Sequence, residues 1–578
     1  MKINSFIKKI TIKKNEKIEK AISQIKKNSE DEKQIKILLV VEKFKLVGTI
    51  SNGDIRRYLL KNNNIKNVQV HTIMNKKPIF FSEKIPYEKI IRQFPKELKK
   101  RGRSSKNYLE YFPIVNQKQQ PVDILKYSEL LNFTENLEDK SNDIFSRVNI
   151  YGLGYVGLTF GLFLADKNIE VHGYDIDKTK IISLQKKKLY FFENDLNNIF
   201  EKNFNKNFFV SNKINTSSKV HIICVGTNID KNKKMINTQL NDSLNTVSKF
   251  ITKGSLILIR STVPVGYTED HICKILEKKT QFKLGIDFFV ANIPERTLAG
   301  NAIKELNQLP QILGGINQKS INIAEQFLKK TQMAIVRVEN SKIAEMAKLA
   351  NNAIRDLNFA FSNELARLCE KYDLDIYKTI NASNLGYPRH IISQPSPGVG
   401  GSCLTKDPFL LSKSDKKKNN IFKNSRYFNE YFLNFQINRI SKIFNKFKKK
   451  KKLNVLICGL AFKGFPETSD VRNSISIDFV NKLNKKNNVY VYDPVIKKYN
   501  LSKNNLNCIK SLNLIKNIDA ILFLNNNPSF KRINIKKMLS KLNSNPIIFD
   551  GWNIFDPSNF EGISSNIYVN LSQVRINE

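Results

Sequence analysis

Cysteine is scarce in this chain: six in 578 residues, at Cys224, Cys273, Cys369, Cys403, Cys458 and Cys508. None forms a CxxC pair or a metal-ligand spacing, so neither a disulfide framework nor a metal module is expected. Several lie in apolar strand-like runs, Cys224 in VHIICVG and Cys458 in NVLICGL. That is the reduced usage of a cytoplasmic protein. Long apolar runs are lacking too. Nothing approaches the roughly 18 residues of a membrane span. The opening MKINSFIKKITIKKNEK carries charge without an apolar stretch, so no secretory signal is expected. Acidic residues are few, 52 against 96 Lys and Arg, which leaves a net charge of +44. Such a field attracts polyanions without specificity. The lysines are scattered, however, and no zinc-finger or RNP-type signature accompanies them. The one dense run, Lys446–Lys452, reads as a linker or a solvated helix end. A dedicated nucleic-acid binder is therefore not expected.

What is present is a long, core-forming chain. Hydrophobic residues make up 41%, and the length suits about three or four domains. Residues 1–135 alternate short strand-like runs with helical stretches, and the polar segment NFTENLEDKSNDIFS follows with linker composition. Residues 147–335 repeat strand and helix in a βαβ rhythm that opens at RVNIYGLGYVG. Residues 336–445 are dominated by one helical stretch with few breakers, SKIAEMAKLANNAIRDLNFAFSNELARLCEKY, and residues 453–578 restart α/β at LNVLICGLAFKG. The expected fold is α/β: two Rossmann-like domains joined by a long-helix central domain, preceded by an α+β module. Two such domains commonly clamp a substrate between them.

Gly152, Gly154 and Gly157 form GxGxxG between a strand and a helix that Tyr155 and Val156 open. The first glycine permits the tight turn, the second lets backbone approach a pyrophosphate, and the third allows close helix–strand packing. Asp175 ends the next strand, where a carboxylate accepts the ribose hydroxyls of NAD, and Lys180 would flank the same ribose. An acid at this position favours NAD over NADP. The plainer alternative is a helix-packing turn with no nucleotide. Lys348 and Asn352 lie four apart on the long helix and share one face. Taken alone they read as a solvated helix face, and an ammonium beside an amide there would otherwise stabilise an oxyanion. Cys403 sits in PSPGVGGSCLTKDPF, a glycine-rich turn with Lys406 and Asp407 within the next helical turn. That context presents a thiol. No Cys-His-Asn order is visible. A thiol in a chain that binds NAD points instead to thiohemiacetal formation, hydride transfer and thioester hydrolysis.

The segments YGLGYVGL, STVPVG, PERTLAG, AEMAKLANN, GVGGSCLTKDP and GLAFKG…SDVRNS occur in the order found in the UDP-glucose/GDP-mannose dehydrogenase family, which the chain resembles over about residues 147–560. The resemblance implies an NAD-dependent oxidation of the C6 hydroxyl of a nucleotide hexose to a carboxylate, for surface polysaccharide precursors. It also implies a homodimer or higher homo-oligomer formed through the central helix. By motif, Cys403 would be the nucleophile, and Lys348 and Asn352 would stabilise the oxyanion, which reverses the reading of that helix face. Asp407 and Thr262 would handle the hydrolytic water, with Glu295 as acid/base partner. Thr227 and Thr262 would contact the cofactor, and Arg389, Lys463 and Gly400 the nucleotide sugar.

Some positions depart from the family pattern. Asn228 stands where many relatives have proline, Ala299 replaces a common acid, and KGFPETSDVR is about two residues longer than usual, which affects the role expected of Arg472. The PER and GYPRH forms lean toward the branch acting on UDP-N-acetylhexosamines. The first block resembles a CBS-domain pair, clearest at LVGTISNGDIRRYLL, where Ser51 and Asp54 would hold a regulatory adenine nucleotide. The second copy lacks the matching signature. Two other readings remain: a catalytically idle nucleotide-sensing protein on the same fold, and a scaffold role for the first block.

Overall fold

The computed structural model describes residues 5–577, apart from 31–34, 60–61, 63–66, 86–89, 91–92, 95–96, 98–110, 127–144, 215, 414–419, 497–505, 513–515 and 563–564. Most of the expected linker, residues 132–144, lies outside the described residues. The chain forms two compact units, Met1–Ser141 and Asn142–Glu578.

The first unit repeats one small motif. Strand β1 (Thr11–Lys13) pairs in parallel with β2 (Ile37–Glu42), which pairs antiparallel with β3 (Lys45–Ser51); helix α1 (Ile18–Glu30) lies between β1 and β2, and α2 (Asn52–Leu59) follows β3. The second copy has β4 (Phe81–Ser82) parallel to β5 (Tyr111–Val115), and β5 antiparallel to β6 (Pro121–Lys126). Each antiparallel pair carries one register shift, at Val40/Val41 and at Ile114/Val115.

The second unit begins with an eight-stranded sheet ordered β14-β13-β12-β11-β10-β7-β8-β9. Its members are β7 (Arg147–Tyr151), β8 (Glu170–Tyr174), β9 (Phe208–Ser211), β10 (Val220–Ile223), β11 (Ser255–Ile259), β12 (Phe288–Asn292), β13 (Gln311–Gly315) and β14 (Ile335–Arg337). Six run parallel, and β13 turns antiparallel to β12. The central strands are apolar on both faces because helices cover both: Val148 and Ile150 enter one core while Tyr151 enters the other. Helix α3 (Tyr155–Asp166) follows β7.

Helix α4 (Ser341–Lys371) runs 31 residues, with the Asn340 side chain capping its start by accepting the Ile343 N–H. It packs along α6 (Ile421–Phe447), with the short α5 (Asp407–Leu411) against both. Lys446 falls in the last turn of α6 and the rest of the lysine run follows it as the connection to the next strand, with Lys450 paired to Asp519. A seven-stranded sheet then centres on β15 (Asn454–Cys458), with β16 (Asn488–Tyr492), β17 (Asn507–Cys508), β18 (Ala520–Phe523), β19 (Ile547–Asp550), β20 (Asn566–Val569) and β21 (Val574–Asn577) in the order β17-β16-β15-β18-β19-β20-β21. The pairings of β15 with its neighbours are parallel, and only the last strand is antiparallel. The expected pair of Rossmann-like sheets around a helical centre is the observed architecture. Among the described residues, no helix is long and apolar enough to cross a membrane.

Candidate functional site

The glycine turn after β7 has the three features a dinucleotide needs. Gly152 adopts φ +92°, a side chain on Gly157 would place its Cβ 1.9 Å from the Gly152 carbonyl oxygen, and one on Gly154 would meet nothing within 4 Å. Gly154 caps α3 with no side chain accepting its first N–H groups, so the turn offers open donors for a pyrophosphate. Asp175 follows β8, nearly buried. Its Oδ2 accepts from the Leu153 N–H and Lys180 Nζ, each at 2.9 Å, and its Oδ1 from the Asp177 N–H at 2.9 Å. The carboxylate thus ties the turn together, and Lys180 shields it from the side. Ile176 beside it is 84% exposed, an apolar platform at the same rim. These residues fit NAD. Thr227, after β10, donates to the Thr262 carbonyl, after β11, at 2.5 Å, so both sit in the crevice at the carboxyl ends of adjacent strands, where α/β sheets bind ligands.

The cysteine turn is built by close packing. A Cβ on Gly400 would stand 2.4 Å from the Asn473 carbonyl oxygen, and Gly401, at φ +91°, lies against the Phe462 ring. The turn is therefore moulded onto the C-terminal domain, and Gly400 is a packing residue. Cys403 stands exposed at its end; Cys224, Cys273, Cys369 and Cys458 are buried. The Cys403 carbonyl accepts from the Asp407 N–H at 2.9 Å, setting Asp407 one turn further on. Asp407 is fully buried. It accepts from Asn352 Nδ2 at 2.6 Å on one oxygen and from Lys406 Nζ at 2.6 Å on the other.

Lys348 and Asn352 are 7% and 6% exposed. They are not a solvated helix face. Both line a cavity of about 250 Å³ together with Arg296, Asn351, Ile354 and Arg355, so cations surround the space beside the cysteine turn. Lys463 also lies close. Its Nζ donates to the Ala299 carbonyl at 2.5 Å, and burial together with the charge of Arg355 pushes it down to about 8. Arg472, despite the longer loop before it, stays near the thiol. Its guanidinium pairs with Asp470 at 2.7 Å; that hydrogen bond raises its pKa, with smaller contributions from Cys403 and Tyr155.

Two of the expected site residues stand apart from this group. Glu295 is buried and bonded to the fully buried Arg260, and its other oxygen accepts the Arg296 and Thr297 N–H groups, each at 2.7 Å. Burial pushes its carboxyl up, but Arg260 and the Thr297 bonds outweigh that and hold it below the usual range. Protonating it would leave a buried guanidinium uncompensated, at a cost of a few kcal/mol. These bonds shape the loop that carries Arg296. Arg389 is the second. It stands on an exposed segment with its guanidinium 5.1 Å over the Tyr387 ring and is not gathered with the other residues.

Sequence reasoning missed two buried carboxylates. Glu193 accepts backbone N–H groups of Gly300 and Ala302. Glu345 accepts from the Gly266 and Thr268 N–H groups and the Thr268 hydroxyl. A sequence signal existed only for Glu345, which shares a helix face with Lys348 and Asn352 at positions i, i+3 and i+7. Ser51 and Asp54, in the first unit, form a local turn. Asp54 Oδ2 accepts from the Ser51 N–H at 2.9 Å and its hydroxyl at 2.6 Å, and Arg57 pairs with Oδ1 at 2.5 Å. Among the described residues no cluster of metal-ligating side chains occurs.

Comparison with known proteins agrees with this geometry. Models of the UDP-glucose/GDP-mannose dehydrogenase family match at residues 146–332 (NAD binding domain), 342–431 (central domain) and 456–557 (UDP binding domain), and a CBS domain matches at 5–61. A UDP-N-acetyl-D-mannosamine dehydrogenase of Pyrococcus horikoshii is 32% identical over 413 residues, 71% of this chain and 96% of that protein. One from Campylobacter jejuni is 32% identical over 384 residues, 65% of this chain and 93% of its own. The solved structure of a Pyrococcus horikoshii UDP-D-ManNAc dehydrogenase superposes with a TM-score of 0.66 at 30% identity, over 74% of this chain and 99% of that one. With the dinucleotide turn, the cysteine turn and most of the second sheet falling inside those matches, the chain belongs to the UDP-glucose/GDP-mannose dehydrogenase family and is an NAD-dependent oxidoreductase of nucleotide sugars.

Proposed function

We propose that the protein oxidises the C6 hydroxyl of a UDP-N-acetylhexosamine, with the N-acetylmannosamine sugar first among candidates, to the uronic acid. The observation that carries this reading is the Asn352–Asp407 hydrogen bond beside an exposed Cys403. The names of the most similar relatives supply the sugar. Gly152, Gly154, Gly157, Asp175 and Thr227 would hold two NAD⁺ in turn, each supplying the acceptor for one of the two hydrides that separate an alcohol from an acid.

The rest belongs to this chain. Cys403 Sγ, as thiolate, adds to the C6 aldehyde, and Lys348 Nζ with Asn352 Nδ2 hold the oxyanion that forms. Loss of the second hydride leaves a thioester on Sγ. Asp407 takes a proton from water as the water attacks the thioester carbon; the C–S bond breaks, and the thiolate returns with release of the carboxylate. Arg472 favours that thiolate by its charge. Lys463, Arg296 and Arg355 would face the phosphates and sugar.

Along α4, Ile343, Met346, Ile354 and Phe361 are exposed at helical spacing, and Tyr427 and Tyr431 are exposed on α6. That apolar seam supports a homodimer, with Arg389 serving a site only through a second copy. The acid formed would feed surface polysaccharide synthesis from the cytoplasm, where an exposed thiol stays reduced. The Ser51–Asp54–Arg57 turn supports an adenine nucleotide as regulatory ligand of the first unit. NADH release across UDP-ManNAc, UDP-GlcNAc, UDP-GalNAc, UDP-glucose and GDP-mannose tests the reading. The expected result is fastest turnover on a UDP-N-acetylhexosamine; turnover confined to UDP-glucose or GDP-mannose, or none, would overturn it.

A further inference from the structure

Three segments far apart in the sequence meet on one buried carboxylate. Glu193 is 5% exposed. One of its oxygens accepts from the Tyr155 hydroxyl and from the Gly300 N–H at 2.6 Å, and the other from the Ala302 N–H at 2.7 Å. The Tyr155 hydroxyl in turn accepts the Gly300 N–H at 3.1 Å. Tyr155 is the first residue of α3, so its backbone is part of the dinucleotide turn. Gly300 belongs to the PERTLAG loop, and that loop is gripped from the other side by the C-terminal domain. Lys463 Nζ holds the Ala299 carbonyl, and a Cβ on Gly300 would stand 2.1 Å from the Glu467 carbonyl oxygen. The segment around Glu193 repeats the pattern: Phe192 donates its N–H to Ser469 Oγ at 2.8 Å.

An unbroken set of hydrogen bonds thus runs from the cofactor turn through Glu193 to the lysine assigned to the nucleotide sugar. With Glu193 seated all three donors are satisfied; breaking the joint would leave each of them buried and unpaired, which disfavours partial seating. Resting on the site assignments proposed above, we infer that Glu193 is a positioning residue that makes NAD and nucleotide-sugar binding mutually cooperative. A ligand that seats the turn orders the PERTLAG loop and Lys463 for the other, and linkage requires the effect to be equal in both directions.

Calorimetry on the full chain tests this, with NADH titrated with and without saturating UDP, and UDP with and without NADH. The native protein should show each ligand tightening the other by one common factor of about 5 or more. In E193Q the amide nitrogen faces an N–H donor, so the joint cannot seat. Each ligand alone should bind within about 2-fold of native while the coupling factor falls toward one. Y155F, which removes only the hydroxyl, should lower the same factor and covers the case of an unfolded E193Q. Weakened single-ligand binding with an intact coupling factor would reduce Glu193 to a structural role and overturn the inference, as would independent binding in the native protein. Failure of NADH or UDP to bind at all would overturn the functional reading, and this inference with it.

Discussion

Asn352 and Asp407, 55 residues apart in the chain and on different helices, are joined by a 2.6 Å hydrogen bond with both side chains buried. The bond fixes an amide donor against a carboxylate that stands one helical turn beyond Cys403. One Asp407 oxygen faces Asn352 and the other Lys406, so the carboxylate is oriented before any substrate arrives.

Asp407→Asn keeps the volume and removes the charge and the base. We expect kcat to fall at least about 100-fold, with substrate KM changed far less, because the loss falls on thioester hydrolysis. Steady-state kinetics beside a thermal melt separates this from misfolding.

Asp175→Ala removes the acceptor for the Leu153 N–H and for Lys180, and with it the acid expected to meet the ribose. NAD affinity should fall by roughly 10- to 100-fold, the value of one charge-assisted hydrogen bond. The preference for NAD over NADP should narrow. Equal use of both cofactors by the native enzyme would show the acid is misassigned.

Glu345 gives a pH signature. Burial pushes its carboxyl up from 4.5 to about 7, against the bonds from Thr268 and Gly266. A carboxyl raised on folding favours the protonated form. Its stabilising contribution is therefore complete below about 4.5 and lost as pH rises through about 7, a change on the order of a few kcal/mol. Melting temperatures from pH 5 to 8 should fall less steeply for Glu345→Gln than for the native protein. Parallel profiles would contradict this.

The parts of the site legible in the sequence are those set by local chemistry. The Gly152 turn needs only its own glycines, and the thiol at Cys403 is presented by the glycines just before it, so spacing revealed both. Lys348 and Asn352 were ambiguous because a polar pair on one helix face looks the same whether water or a buried carboxylate faces it; Asp407 decides the matter. Glu193, Glu345 and the Arg260–Glu295 pair were illegible as a network because their partners lie 107, 79 and 35 residues away. Nothing local marks a carboxylate that closes a distant loop. Glu295 shows the same limit: its motif names the residue but not the arginine that pins it. The fold was easier, since apolar strands alternating with helices dictate covered parallel sheets.

If the first unit binds an adenine nucleotide, full-chain calorimetry should detect AMP, ADP or ATP. Asp54→Ala should abolish the heat while leaving NADH binding within about 2-fold, since coupling through a second site changes affinity only by its differential interaction. Absence of heat from all three nucleotides would leave the unit a scaffold.

The central claim is covalent catalysis at Cys403, and intact-protein mass spectrometry tests it most directly. Enzyme quenched during turnover of its best UDP-sugar should carry an adduct of the uronyl mass on the peptide containing Cys403, with two NADH formed per acid released. Cys403→Ser should bind both ligands yet form no acid. Net acid production at a native rate by Cys403→Ser, or release of free aldehyde with one NADH per substrate, would contradict the account.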